Sequence, residues 1–113
     1  MRTIAIYNNK GGVGKSTVTT LLADFFSSVR VARTGALARV LVIDLDAQNS
    51  AARALIGEDK LEAQQSRDGA VPDLLTKLAA RRNAVLEDYL IERPPAELAG
   101  RQTALGQLWV MVS

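Results

Sequence analysis

Residues 9–17 read NKGGVGKST, in which three glycines precede a lysine and two hydroxyl side chains. The run matches the phosphate-loop pattern G-x-x-x-x-G-K-[ST] except at its first position, where Asn9 replaces glycine. Glycines let the backbone curl, so that successive N–H groups approach a phosphate without side-chain clash. A glycine-rich turn that binds nothing would not require the lysine and the hydroxyl residues. The run therefore predicts a phosphate-binding loop.

The flanking segments supply the context that such a loop needs. Thr3–Tyr7 is a short β-branched and aromatic run, which predicts a buried strand before the loop. After Lys15 the apolar residues recur at three- and four-residue steps through Val29, which predicts a helix. The loop would then deliver an anion to a helix N-terminus, where free N–H groups and the helix dipole favour negative charge.

A second strand is predicted at Val40–Ile43, a continuous apolar run that leads directly into Asp44-Leu45-Asp46. Strand, helix and strand in this order predict a βαβ unit with parallel strands. Acidic residues at the end of a strand can simply face solvent. Ligands of open α/β sheets bind at this same edge, however, so Asp44 and Asp46 are candidate site residues.

The rest of the chain predicts further elements. Residues 30–39 are basic and predict a helix end and a surface loop, and residues 58–70 are polar and predict another loop. A short helix is expected between Ser50 and Gly57, and another from Pro72 through Ala79. An amphipathic segment follows at residues 85–91 and ends at Pro94-Pro95. Residues 108–112 predict a third strand.

Composition restricts the class of protein. The 113 residues are 48% hydrophobic, enough for one small domain with a core. The absence of cysteine and histidine excludes disulfides, thiolate metal sites and histidine catalysis within these residues. The net charge of +2 does not by itself indicate a nucleic-acid-binding protein. The sequence shows neither a signal peptide nor an apolar run of about 20 residues, so we expect a soluble cytoplasmic protein with no membrane association.

Two motifs carry a resemblance to a known family. Residues 10–17 resemble the deviant Walker A motif of the ParA/MinD ATPases, in which an extra lysine stands near the start of the loop. Residues 40–49, VLVIDLDAQN, are similar to the second motif of that family, a strand ending in D-x-D-P-Q, and are closer to the ParA branch. Ala47 replaces the usual proline, and Asn49 stands where glycine is common.

The resemblance implies an α/β fold, a P-loop NTPase-like parallel sheet with flanking helices, and ATP and Mg²⁺ as cofactors. It implies that Lys15 binds the β- and γ-phosphates and that Lys10 reaches the nucleotide of a partner subunit. Asp46 would orient the attacking water, and Ser16 and Asp44 would serve the magnesium ion. The implied nucleotide-binding residues are Lys10, Gly11, Gly12, Val13, Gly14, Lys15, Ser16 and Thr17, and the implied catalytic residues are Lys10, Lys15 and Asp46.

By the same resemblance the protein is a nucleotide-switched ATPase of plasmid or chromosome partition. The complete protein would form an ATP-sandwich homodimer, with a DNA-bound ParB-like adaptor and non-specific DNA as further partners. Family members run to about twice this length, within the range of one α/β domain. We therefore expect residues 1–113 to be the N-terminal portion of a single ParA-like domain. A MinD-like positioning ATPase and a truncated, non-catalytic nucleotide-binding or dimerisation fragment are the alternatives.

Overall fold

The computed structural model describes residues 1–7, 14–94, 97–98, 101–102 and 106–113. Four α-helices and one 3₁₀ helix (Leu86–Tyr89) accompany five short strands in this part of the chain. The helices are α1 (Lys15–Ser27), α2 (Ser50–Ile56), α3 (Glu58–Ser66) and α4 (Val71–Ala79). The strands are β1 (Val40–Ile43), β2 (Ile91–Glu92), β3 (Glu97–Leu98), β4 (Arg101–Gln102) and β5 (Leu108–Met111).

Three of the strands form a mixed sheet in the order β1-β5-β2. β1 and β5 are parallel, with Val40 opposite Leu108 and Ile43 opposite Met111. β2 runs antiparallel to β5, and β3 and β4 form a separate antiparallel pair. The fold is therefore a small α/β arrangement, and the expectation of a parallel sheet holds for the β1–β5 pair alone.

The core lies mainly on one face of this sheet. Side chains of β1, β2 and β5 pack there against α1, α2 and α3, and Val110 of the central strand is completely buried. A smaller cluster on the other face joins Val71, Tyr89 and Met111. Because β5 lies between two strands, it contributes buried residues to both clusters. The carboxyl ends of β1 and β5 meet at one edge, which is where the site lies.

Several predicted elements are confirmed. The helix after the glycine loop begins at Lys15, and the strand at residues 40–43 has the predicted bounds. α2 ends before Gly57, whose φ of 85° is a left-handed conformation that favours glycine. In α4 the Asp73 carboxylate accepts the Ala70 N–H at 3.1 Å, which stabilises the start of the helix. The third predicted strand is the central one.

The predicted strand at Thr3–Tyr7 is wrong, because residues 1–7 contain no strand. Ile4 is 60% exposed and Tyr7 is 81% exposed. β-branched composition predicts a surface that can be buried, but a strand also needs a neighbour for its backbone hydrogen bonds. Because its first strand is missing, the predicted βαβ unit around α1 is not formed, and β1 is an edge strand of the sheet.

The polar loop predicted at residues 58–70 is also wrong in its first part, where α3 spans nine residues. These residues are mostly good helix formers, and Glu58 and Asp59 lie in the first turn, where negative charge suits the dipole. Leu61 and Gln64, three residues apart, are buried on one side of the helix. The amphipathic segment predicted at residues 85–91 contains the 3₁₀ helix Leu86–Tyr89 and the first residue of β2 (Ile91–Glu92). Among the helices of the described residues, none is long and apolar enough to cross a membrane.

Candidate functional site

The start of α1 has the backbone features of an anion site. Gly14 precedes the helix at φ 82° and ψ 11°, a left-handed conformation that favours glycine. Within the described residues, no side chain caps this end of the helix, and its first turn contains no acidic residue. The first N–H groups of a helix have no partner within it, and the dipole adds positive potential. An anion in front of Lys15 would therefore be stabilised.

A direct ion pair links the two predicted motifs. The Lys15 Nζ atom lies 3.4 Å from the Asp46 Oδ2 atom, and about a third of each side chain is exposed (33% and 34%). Lys15 begins α1, and Asp46 follows β1 by three residues. The parallel β1–β5 pair and the packing of α1 against β1 bring these two residues to the same edge. The expectation that both residues belong to one site is consistent with this distance.

The environment of Asp46 favours its charged form. Its Oδ1 atom accepts the Gln48 N–H at 3.0 Å, while Oδ2 faces Lys15. The hydrogen bond from Gln48 is the main reason why the pKa of Asp46 is lowered from its usual 3.8, and the contact with Lys15 lowers it further. Asp46 is therefore ionised at neutral pH and presents one oxygen to the lysine.

Asp44 is held differently from Asp46. It is buried, and its two oxygens accept the Asp46 N–H at 3.1 Å and the Ala52 N–H at 3.0 Å. The second bond caps α2, because Ala52 is the third residue of that helix. Asp44 thus fixes the turn that carries Asp46. Its role near magnesium stays a prediction; within the described ranges no cluster of three or more acidic residues could hold a metal ion.

The remaining predicted site residues divide into two groups. Ser16 and Thr17 lie in the first turn of α1, directly after Lys15. Lys10, Gly11, Gly12 and Val13 lie outside the residues that the structure describes. The described part of the phosphate loop is thus its glycine-to-helix junction.

Sequence reasoning missed the role of Asn49. This buried residue has φ 51°, and its side chain makes two hydrogen bonds to the backbone of Ser113. The signal in the sequence was its position, where the resembled family commonly has glycine. Glycine and asparagine both adopt the left-handed region readily. The bonds to Ser113 require the fold, because the two residues are 64 positions apart.

Comparison with known proteins adds a family to this geometry. A family model described as an AAA domain matches residues 1–98. The chain belongs to this family. Comparison with curated proteins and with solved structures gives no match to the chain.

Membership in the AAA domain family gives the site a general chemistry. The family is a P-loop ATPase-type group that includes ParA- and MinD-like members, so the domain is of a nucleotide-binding type. Such domains bind ATP, typically with Mg²⁺. The match covers the glycine loop in the sequence and the Lys15–Asp46 ion pair in the structure.

Proposed function

We propose that this protein is a ParA-like ATPase that binds ATP with Mg²⁺ and acts as a nucleotide-dependent dimerisation switch in plasmid or chromosome partition. The single observation that carries the proposal is the 3.4 Å contact between Lys15 Nζ and Asp46 Oδ2 at the start of α1. It joins the lysine of the phosphate loop to the aspartate that would orient the attacking water. The family match supports the nucleotide, and the two motifs support the ParA-like assignment.

The residues present fit ATP and magnesium. The uncapped end of α1 and the Lys15 ammonium suit phosphate oxygens. The Ser16 hydroxyl, in the first turn, is a hard oxygen ligand of the kind that Mg²⁺ prefers. Magnesium in such sites is held by one or two protein oxygens and by the phosphates of the nucleotide, so an acidic cluster is not required. Bound magnesium would neutralise charge on the phosphates.

Three residues of the chain would have distinct roles in binding and hydrolysis. Lys15 would bind and orient the phosphates once its contact with Asp46 is released. Asp46, ionised at neutral pH, would accept a hydrogen bond from water and orient it. Lys10 would neutralise charge on the nucleotide of the partner subunit, as an arginine finger does in other NTPases. A homodimer, a DNA-bound adaptor and non-specific DNA are the proposed partners.

Two other functions compete with this proposal. A MinD-like positioning ATPase shares the phosphate loop, but the D-x-D-A-Q run at residues 44–48 is closer to the ParA motif. A non-catalytic nucleotide-binding or dimerisation module would keep the binding residues and lack turnover. Nucleotide binding tests what all three share, and turnover separates the last from the first two.

The first experiment is thermal unfolding with and without Mg-ATP, for the wild type and for Lys15→Ala. A ligand that binds only the folded state stabilises it by roughly 2.7 kcal/mol at one hundred times its Kd. For a chain of this size, each kcal/mol raises Tm by about 4 to 8 °C. We expect a rise in the wild type and none in Lys15→Ala.

Lys60→Ala is the matched control. Lys60 lies on α3 and donates to the Glu92 carbonyl oxygen at 3.4 Å, so the variant removes a lysine elsewhere. This variant should keep the full rise in Tm. An equal rise in Lys15→Ala would contradict the proposed phosphate contact, and the absence of a rise in the wild type would contradict nucleotide binding itself.

A further inference from the structure

One side chain fastens the loop between β1 and α2 to the residue that follows the sheet. The Asn49 side-chain nitrogen donates to the main-chain oxygen of Ser113 at 2.9 Å, and the Asn49 side-chain oxygen accepts the Ser113 N–H at 2.8 Å. Asn49 is only 2% exposed. Two bonds in opposite directions define both the distance and the orientation of the pair. We call this pair of bonds the Asn49–Ser113 latch.

The backbone of Asn49 connects the latch to Asp46. The Asn49 N–H donates to the Asp46 carbonyl oxygen at 2.9 Å. Asp46 is held from the other side by Asp44, which accepts its N–H. The loop is therefore held at Asp44, which bonds to α2, and at Asn49, which bonds to Ser113 two residues beyond β5. Glycine at position 49 would adopt the same backbone conformation but would leave the bonds to Ser113 unmade.

The bonds from Asn49 to Ser113 matter because the hydrogen bond from the Asp46 N–H to Asp44 does not by itself place the Asp46 carboxylate. Asp44 holds the backbone N–H of Asp46, whereas the contact with Lys15 is made by the Asp46 side chain in a partly exposed position. An exposed ion pair alone constrains geometry weakly. The latch lies three residues away, and its Asn49 side chain is buried and bonded to Ser113, two residues beyond β5.

We propose that Asn49 is a positioning residue of the phosphate site, which keeps the Asp46 loop in register with β5 and the Asp46 carboxylate beside Lys15. This inference rests on the proposed function, in which Asp46 orients the attacking water. The hydrogen bonds of Asn49 within the described residues do not involve Lys15. Loss of its side chain should therefore lower turnover, which depends on the position of Asp46, without weakening nucleotide binding.

The test compares Asn49→Gly with Gln65→Ala. Asn49→Gly keeps the left-handed backbone and removes both bonds of the latch. Gln65→Ala is the control, because Gln65 on α3 also donates to the main-chain oxygen of Ser113, at 3.0 Å, and lies outside the Asp46 loop in sequence. Asn49→Asp, which keeps the size of the side chain and the bond from the Ser113 N–H, replaces Asn49→Gly if that variant does not fold.

The first readout is the NMR order parameter of the backbone at residues 45–48, measured without nucleotide. We expect it to fall from the rigid level of about 0.85 to below about 0.6 in Asn49→Gly, and to stay rigid in Gln65→Ala. This measurement does not depend on ATP. Order parameters near 0.85 at residues 45–48 in Asn49→Gly would contradict the proposal that the latch holds this loop.

The second readout separates turnover from binding. In Asn49→Gly we expect kcat for Mg-ATP to fall by about tenfold, while the affinity for Mg-ATP stays the same or rises by up to about fivefold as Asp46 moves away from Lys15. Equal losses of both in Asn49→Gly, or an unchanged kcat, would overturn the positioning role. If the wild type binds no Mg-ATP, the proposed function fails, and the positioning role at a phosphate site fails with it. The order parameters then still show whether the latch itself holds the loop.

Discussion

At the scale of single residues, Asp46 competes with any phosphate for Lys15. Its carboxylate lies 3.4 Å from the lysine ammonium, so that contact must be released before Lys15 can bind phosphate. The same carboxylate also places negative charge close to the position that a triphosphate would take.

The Asp46→Asn variant should therefore bind Mg-ATP more tightly than the wild type. We expect a gain of roughly two- to fivefold in affinity, the size of a partly exposed charge contact. Isothermal titration calorimetry measures it, with Asp59→Asn on α3 as a control for loss of one negative charge elsewhere. Weaker binding in Asp46→Asn would mean that Asp46 supports the nucleotide directly.

The lowered pKa of Asp46 also predicts a dependence of stability on pH. A carboxyl whose folded pKa lies below its unfolded value of about 3.9 stabilises the fold above that pH, and the contribution is lost as pH falls through the folded pKa. Urea unfolding of the wild type and Asp46→Asn should therefore differ at pH 7 and converge in strongly acidic buffer. A difference that persists at pH 2 would contradict the assigned cause.

At the scale of elements, two glycines let segments pass closely. Gly106, before β5, donates its N–H to the Ser27 carbonyl oxygen at 2.7 Å at the end of α1. A Cβ atom here would overlap the Ala38 carbonyl oxygen and lie 2.8 Å from that of Ser27. At Gly69 a Cβ would instead meet the side chain of Gln64, 2.7 Å from its Cδ.

Gly106→Ala should consequently be more destabilising than Gly69→Ala. Backbone carbonyls cannot move aside without disturbing α1 and the entry to β5, so we expect a loss of about 2 to 3 kcal/mol in Gly106→Ala. Gln64 is buried and donates to the Gly69 and Asp88 carbonyl oxygens, but its side chain can shift. We therefore expect Gly69→Ala to lower the free energy of unfolding by about 1 kcal/mol. Urea unfolding measures both, and the reverse order would show that Gln64 is the more rigid neighbour.

At the scale of the whole molecule, one side of the sheet is partly uncovered. Leu41 is 48% exposed and Ile43 is 52% exposed, whereas Val42 between them is buried. β1 is also an edge strand of the sheet. An apolar surface beside an open strand edge promotes association between chains.

The Leu41→Thr, Ile43→Thr double variant should therefore bind less of a hydrophobic dye and associate less at high concentration. Its free energy of unfolding should change by no more than about 1 kcal/mol, since both side chains are half exposed. Val42→Thr, which places a hydroxyl in the core, should cost more. Dye fluorescence measures the exposed apolar surface, and sedimentation velocity measures association. Unchanged dye binding in the double variant would mean that the dye binds an apolar surface other than Leu41 and Ile43.

The sequence by itself determined the local chemistry of this protein. The glycine-to-lysine junction predicts the start of α1, the apolar run at residues 40–43 predicts β1, and Pro72-Asp73 predicts the start of α4, because each depends on neighbours in the chain. The motifs also predicted that Lys15 and Asp46 share a site. α3 was missed because its residues are mostly polar. Its many helix-forming residues and the three-residue spacing of Leu61 and Gln64 nevertheless indicate a helix.

Only the tertiary structure decided which segments are paired. Residues 3–7 have strand-like composition but no strand, while residues 108–111 become the central strand between β1 and β2. The fold also forms the bonds from Asn49 to Ser113, which are far apart in sequence. It likewise makes Asp44 a cap of α2 and Asp46 the partner of Lys15. Periodicity and propensity act over a few residues, whereas a strand, a latch or an ion pair requires a partner that only the fold brings near.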